Sequence, residues 1–368
     1  MQYSILAPSH DEKSDLIDCV KLNRASWLPR QYLTHARVME KAEHQEKKPL
    51  CQDEERGDMK RKQNVWKQYS LMFLVIIIMM SAFAFVNYPT SCMKLFPFFG
   101  KERMKPKYKN VIFMVTDGTG PASFTAAREF QRIISGAEDG FQFAMDEMLV
   151  GSSRTRSYDS LVTDSAAGAT AYSCGIKTNN DAVAVDEKGK PCGTLLEAAK
   201  RQGWKTGMIV TSRVTHATPA SFAAHVKMRW NEARIAEQLI GEAGYPFGIS
   251  VDLLMGGGKC FFMPSGMSKK CGRKDLLDLI DIADKKGVRI VSTRKEFDLM
   301  KENEKLPLFG LFADDHISYE IDRNPLKEPS LKEMVQKGLK ILKAAVERDE
   351  APGFFLLIEG SKIGFSSC

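Results

Sequence analysis

The 368-residue chain has room for one large domain or two small ones, and 43% hydrophobic content is enough for a sizeable core. Its net charge of +7 arises from 53 Lys and Arg against 46 Asp and Glu. That excess forms no basic block and no aromatic-interleaved stripe, which argues against nucleic-acid binding, and the absence of any Asn-x-Ser/Thr sequon excludes N-glycosylation.

Residues 1–68 are polar and lack sustained apolar periodicity, so a largely disordered tail is expected. Two short patterns within it, Tyr3-Ser4-Ile5-Leu6 and Glu12 to Ile17 (EKSDLI), have the form of sorting signals read by adaptors. Tyr69 to Tyr88 carries no charge and is long enough to span a bilayer as a helix. The long polar segment before it excludes a cleaved signal peptide, leaving a single-pass anchor. Arg61, Lys62 and Lys67 crowd the entry side and are nearly balanced by Lys101, Arg103, Lys105 and Lys107 after the exit, but only Lys94 lies close to the exit, which favours a cytosolic N-terminus. Residues 89–107 then form a stalk. Cys260 and Cys271 flank a short polar stretch on the far side, where an oxidising lumen would let them pair; two free thiols are the alternative.

The globular part starts at Tyr108. Asn110 to Thr116 is a buried strand running into Asp117, followed by a helix over Ser123 to Ile134. Thr194 to Gln202 is helical, while Lys205 to Thr211 and Val251 to Met255 are strands. Gly256-Gly257-Gly258 lacks the Lys-Ser/Thr ending of a phosphate loop and is taken as a structural turn. Phe354 to Ile358 is an unbroken apolar strand leading to Glu359. Alternating strands and helices predict an α/β fold with a doubly wound, mostly parallel sheet. Ligands bind such sheets at the carboxyl ends of the strands.

The chemistry-bearing residues fall at those ends. In Leu161 to Thr170 (LVTDSAAGAT), Ser165 precedes tiny helix-compatible residues, so its hydroxyl sits at a helix N-terminus, where an anion is favoured. An N-cap role alone would also explain it. The α/β-hydrolase elbow is excluded because Gly does not flank the serine at two residues on either side. Asp117 and Glu359 are hard oxygen ligands suited to magnesium, and Thr211 to Ala220 (TSRVTHATPA) is a polar segment after a third strand. A nucleophile beside cation ligands is what metal-assisted phosphoryl transfer requires.

The stretches VTDSAAGAT, AYSCGIKTNN, SRVTHATPASFAAHV and LFADDHISYEIDR together resemble the alkaline phosphatases, the fungal vacuolar members in particular, from about Asn110 to Ile363. The resemblance implies hydrolysis of phosphate monoesters through a phosphoserine, with two zinc ions and one magnesium. It implies Ser165 as nucleophile and zinc ligand, Asp164 as the acid that orients Arg229, and Arg229 as the fork that holds two phosphate oxygens. Asp117 would be shared by a zinc and the magnesium, with Thr218 and Glu359 as further magnesium ligands and His216 beside that metal, as a ligand or touching its ligands. It also implies a homodimer and, with the anchor and sorting patterns, a vacuolar membrane location with the catalytic domain luminal.

After Ile363 the resemblance stops: the family continues with an Asp and a nearby His, both zinc ligands, where this chain reads Gly364-Phe365-Ser366-Ser367-Cys368. Of the six histidines, His10, His35 and His44 lie in the tail, and His216, His225 and His316 match no zinc-ligand position. The sheet is therefore expected to be incomplete at the C-terminus, with Phe354 to Ile358 left as an exposed apolar edge. Two functions follow: a membrane-anchored alkaline phosphatase, or a truncated non-catalytic chain lacking the zinc ligands. A sulfatase or phosphodiesterase relative is disfavoured by DSAAGAT.

Overall fold

The computed structural model describes residues 3–6 and 110–363, apart from 243 and 349. The expected anchor at 69–88, the stalk at 89–107, the ending at 364–368 and the tail beyond residues 3–6 lie outside the described residues. Among the described residues no helix is long and apolar enough to cross a membrane.

In chain order the strands are β1 (Tyr3–Leu6), β2 (Asn110–Thr116), β3 (Lys205–Arg213), β4 (Leu253–Gly257), β5 (Arg289–Val291), β6 (Leu308–Leu311) and β7 (Phe354–Gly360). The helices are α1 (Pro121–Ser135), α2 (Ala144–Glu147), α3 (Ser165–Cys174), α4 (Leu195–Arg201), α5 (Ala217–Ala223), α6 (Glu232–Leu239), α7 (Leu279–Lys285), α8 (Arg294–Leu299) and α9 (Leu331–Glu347). One sheet runs β1-β2-β7-β3-β4-β6-β5, parallel throughout except for the antiparallel β1 at its edge.

Alternation along each strand divides the core into two layers. Phe355 and Leu357 of β7, Met208 and Val210 of β3 and Leu254 of β4 face one layer, shared with Leu196 of α4, Phe222 of α5 and Ile235 of α6. Phe354, Leu356 and Ile358, with Ile209, Leu253 and Met255, face the other, built on Met334, Ile341 and Leu342 of α9. The sheet is thus covered on both faces, as a doubly wound fold requires. Helix α9 starts at a capping box formed by Ser330 and Glu333. Its close approach to the sheet depends on Gly338, where a Cβ would meet Ile209 Cδ1 at 2.5 Å.

Three expectations are corrected. Strand β7 is not an exposed edge, because β2 pairs with it along Asn110 to Thr116 and β3 along Lys205 to Val210. Neighbours from earlier in the chain satisfy both of its sides, so the aggregation-prone edge foreseen from the sequence does not exist there. Second, Gly256 and Gly257 are not in a turn but end β4. A side chain at Gly257 would strike the Asp315 carbonyl, and only Gly258, with φ +90°, needs a left-handed turn. Third, Tyr3–Leu6, expected within a structureless tail, pairs with Phe113 to Thr116 of β2.

Candidate active site

Adjacent parallel strands carry the site. Val115 of β2 and Val210 of β3 both stand opposite Glu359 of β7 in the ladder, so the carboxyl ends of the three strands converge. Asp117 follows β2 directly, and its N–H donates to the Gly360 carbonyl at 3.2 Å. The loop after β3 leads into α5, which carries Thr218 to the Glu359 carboxyl.

Ser165 is the first residue of α3, and the preceding Asp164 caps the helix by accepting from the Ala167 amide at 2.8 Å. The capping role thus belongs to Asp164, leaving the Ser165 hydroxyl free to project. It donates to the Asp117 carboxylate, 3.0 Å to Oδ2 and 3.2 Å to Oδ1. Ala166, Ala167 and Ala169 of α3 are buried, and their small size allows α3 to pack on α5, where Ser221 Oγ donates to the Ala166 carbonyl at 3.4 Å.

Arg229 is braced from two sides: Nη1 donates to Asp164 Oδ2 at 2.9 Å and Nη2 lies 3.0 Å from His216 Nε2. Since a guanidinium only donates, His216 accepts there and is neutral with its proton on Nδ1. Burial, followed by the charges of Arg229, His316 and Arg213, holds the His216 pKa well below the ordinary histidine value. His316 meets His216 edge-on with ring centroids 5.5 Å apart. Burial and Arg213 push it down to about 4 against the opposing pull of Asp315.

Glu359 is fully buried. Its Oε2 accepts from Ser361 Oγ at 2.5 Å and Ser212 Oγ at 3.2 Å. Burial first and the charge of Asp117 second push its pKa up to about 7. Glu359 Oε1 and Thr218 Oγ1 are buried without a hydrogen bond of full geometry, and the Thr218 hydroxyl faces the Glu359 carboxyl. These two buried hard oxygens, with the Asp117 carboxylate close enough to act on Glu359, suit a magnesium ion, which takes oxygen ligands. Zinc is different. Among the described residues no three His, Cys, Asp or Glu side chains converge on one point. His225 points elsewhere, into contacts with Ala184 and Glu197.

All seven sequence-identified residues, Asp117, Asp164, Ser165, His216, Thr218, Arg229 and Glu359, therefore gather at one end of the sheet. Sequence reasoning missed Asn180, whose Oδ1 accepts from the Asp164 amide at 3.0 Å, and Asp181, whose amide donates to Asp164 Oδ2 at 3.0 Å. It also missed Ser212 and Ser361 around Glu359. Ser361 lies only two residues beyond Glu359, whereas the roles of Asn180, Asp181 and Ser212 come from chain folding. The Cys260–Cys271 disulfide is present with Cα atoms 5.6 Å apart. A second, unforeseen one joins Cys174 to Cys192 across 6.0 Å and ties the C-terminus of α3 to the loop before α4.

The sequence model of the family described as Alkaline phosphatase matches residues 108–367. The chain belongs to the alkaline phosphatase family. An alkaline phosphatase of Schizosaccharomyces pombe is 52% identical over 264 residues, covering 72% of this chain and 48% of the relative. The repressible alkaline phosphatase of Saccharomyces cerevisiae is also 52% identical, covering 70% and 47%. Among solved structures, Thermus thermophilus alkaline phosphatase shares 36% identity with a TM-score of 0.58, covering 70% of this chain and 50% of that one. A variant of the TAB5 alkaline phosphatase with aspartate in place of a histidine, described with magnesium bound in its M3 site, shares 27% with a TM-score of 0.53. The chain spans about half the length of the curated yeast relatives it matches. The family match runs four residues past Ile363, where the sequence reading placed the break.

Proposed function

We infer that these residues form the phosphate-handling part of a phosphate monoesterase that acts through a phosphoserine. The observation that carries the reading is Ser165 at a helix N-terminus, hydrogen-bonded to Asp117, with the preceding Asp164 bound to an arginine that His216 braces from the other side. In the reaction, Asp117 accepts the hydrogen bond of the Ser165 hydroxyl and favours loss of its proton to solvent; Ser165 Oγ bonds to phosphorus as the ester P–O bond breaks and the alcohol leaves with a proton from water, and a second water then attacks the phosphoserine, breaking its P–O bond to free phosphate and restore the hydroxyl. Asp164 and His216 fix the plane of the Arg229 fork, so two phosphate oxygens are bound without loss of side-chain freedom at the moment of attack. The N-terminus of α3 adds positive potential at the same point.

Asp117, Thr218 and Glu359 would hold magnesium, as the buried, incompletely satisfied oxygens suggest, and the ion would supply positive charge that offsets the clustered carboxylates and the phosphate. His216 stays beside this group through its contact with Arg229. Zinc does not fit the described residues, which offer only Asp117 and Ser165 of the expected ligands, and no step is assigned to it. A second reading is a chain that binds magnesium and phosphate but does not turn over. Homodimerisation, recognition by sorting adaptors through the tail, and a vacuolar membrane location with the tail cytosolic are further parts of the proposal. They rest on the family and on the apolar run at 69–88, and a cytosolic tail with a luminal sheet requires β1 to leave the sheet.

The experiment is to incubate the 368-residue chain with a labelled phosphate monoester, zinc and magnesium, and to map the label. Phosphate on Ser165, lost in Ser165→Ala, supports the enzyme reading. Label on another serine overturns the assignment of the nucleophile, and no label with magnesium-dependent phosphate binding selects the second reading.

A further inference from the structure

One buried ionisable cluster is unused by the chemistry above. His225 lies between α5 and α6, with Nδ1 2.8 Å from the Ala184 carbonyl and Nε2 2.8 Å from Glu197 Oε1. A carbonyl and a carboxylate only accept, so both ring nitrogens must donate and the ring is an imidazolium. Glu197 is committed as an acceptor: it also takes the Tyr245 hydroxyl and, at 2.9 Å, the Thr194 amide.

The carbonyl that His225 holds belongs to a strained turn. Asp181 and Ala184 adopt φ of 68° and 45°, a left-handed region unfavourable for residues with a side chain. Val183 and Val226 exchange backbone hydrogen bonds at 3.0 and 3.1 Å, which makes a short ribbon of the turn and the segment after His225. The far end of that ribbon is the candidate site. The Arg229 amide donates to the Asp181 carbonyl at 2.8 Å, and the Asp181 amide donates to Asp164 Oδ2 at 3.0 Å. Asp164 also receives Arg229 Nη1.

We propose that His225, as an imidazolium clamped between Glu197 and Ala184, is a positioning residue that holds the 181–184 turn in the shape that presents Arg229 to Asp164, and that its deprotonation releases this turn. The titratable groups facing the ring are Glu197 from α4 and Tyr245 from the loop after α6. Gln238 of α6 is neutral and binds only the His225 backbone, at 2.7 Å from its amide and 3.0 Å from its carbonyl. Burial lowers the pKa of the ring, but the hydrogen bond and charge of Glu197 outweigh it, and the net shift is upward from 6.5. Glu197 shifts down in step, its burial outweighed by His225, and burial with the Glu197 charge pushes the Tyr245 phenol up, so it stays protonated. Because the folded pKa is raised, the latch is fully engaged below about 6.5 and fails as pH rises through the folded value. Each unit of upward shift is worth a factor of about ten in the folding equilibrium constant.

The test follows the ring and the turn together in the full chain. Histidine nitrogen NMR should show both nitrogens of His225 protonated at neutral pH, with a midpoint above the ordinary value and lowered in Glu197→Gln. Hydrogen exchange at the Asp181, Val183 and Arg229 amides should then accelerate through that midpoint by more than the amides of β3 and β7 do. The extra step should vanish in His225→Gln. A His225 midpoint at or below the ordinary value overturns the proposal. So does unchanged protection of those amides through the titration, a result readable from the native chain even if His225→Gln does not fold.

Discussion

Glu359→Gln should stabilise the metal-free chain at pH 8 and remove its response to magnesium. The carboxyl is fully buried, and its pKa rises from an ordinary 4.5 to about 7. A raised carboxyl pKa means that stability is fully present below about 4.5, is lost as pH climbs, and is missing entirely above about 7. The displacement corresponds to about 3 kcal/mol of folding free energy at pH 8. The amide replaces the ionised group at equal size, and the Ser212 and Ser361 hydroxyls can rotate to meet it, so about 2–3 kcal/mol should be recovered. Magnesium at a hundred times its dissociation constant should stabilise the native chain by about 2.7 kcal/mol and the variant hardly at all. Urea unfolding in chelator at pH 5 and pH 8, repeated with magnesium, measures both. A variant less stable than the native chain at pH 8 in chelator, or equally responsive to magnesium, would refute the argument that Glu359 is a strained, waiting ligand.

Gly338→Ala gains about 1 kcal/mol of helix propensity, but its Cβ would meet Ile209 Cδ1 at 2.5 Å. Overpacking costs about 1–3 kcal/mol, so a net loss is expected, and a raised thermal midpoint would contradict it. Reduction should open both disulfides; the Cys260–Cys271 loop, with a separation of 11 residues, is expected to contribute roughly 2–3 kcal/mol. Non-reducing peptide mapping that finds alkylatable thiols at these positions would remove the bridges. A tag placed before Tyr3 should be cleaved by protease added outside intact vacuoles if the tail is cytosolic. Protection of the tag would reverse the topology and leave β1 in the sheet.

The sequence by itself determined the fold class, because buried strands such as Phe354 to Ile358 and strand-end acids such as Asp117 carry their signal in a few adjacent residues. It also singled out residues that the fold brings to one end of the sheet, since Asp164-Ser165 and His216-Ala217-Thr218 are short contiguous motifs. Only the tertiary structure decided which strands are neighbours. Apolar continuity says that β7 is buried but not what it pairs with, and the parallel crossover that places it between β2 and β3 is a long-range choice. The same holds for the polar framework. Ser212, Ser361, Asn180 and Asp181 acquire their roles through hydrogen bonds across large sequence separations, as does the His225–Glu197 pair. Local composition sets propensity and burial, whereas the partner of a buried polar group is fixed by what the folded chain brings within about 3 Å of it.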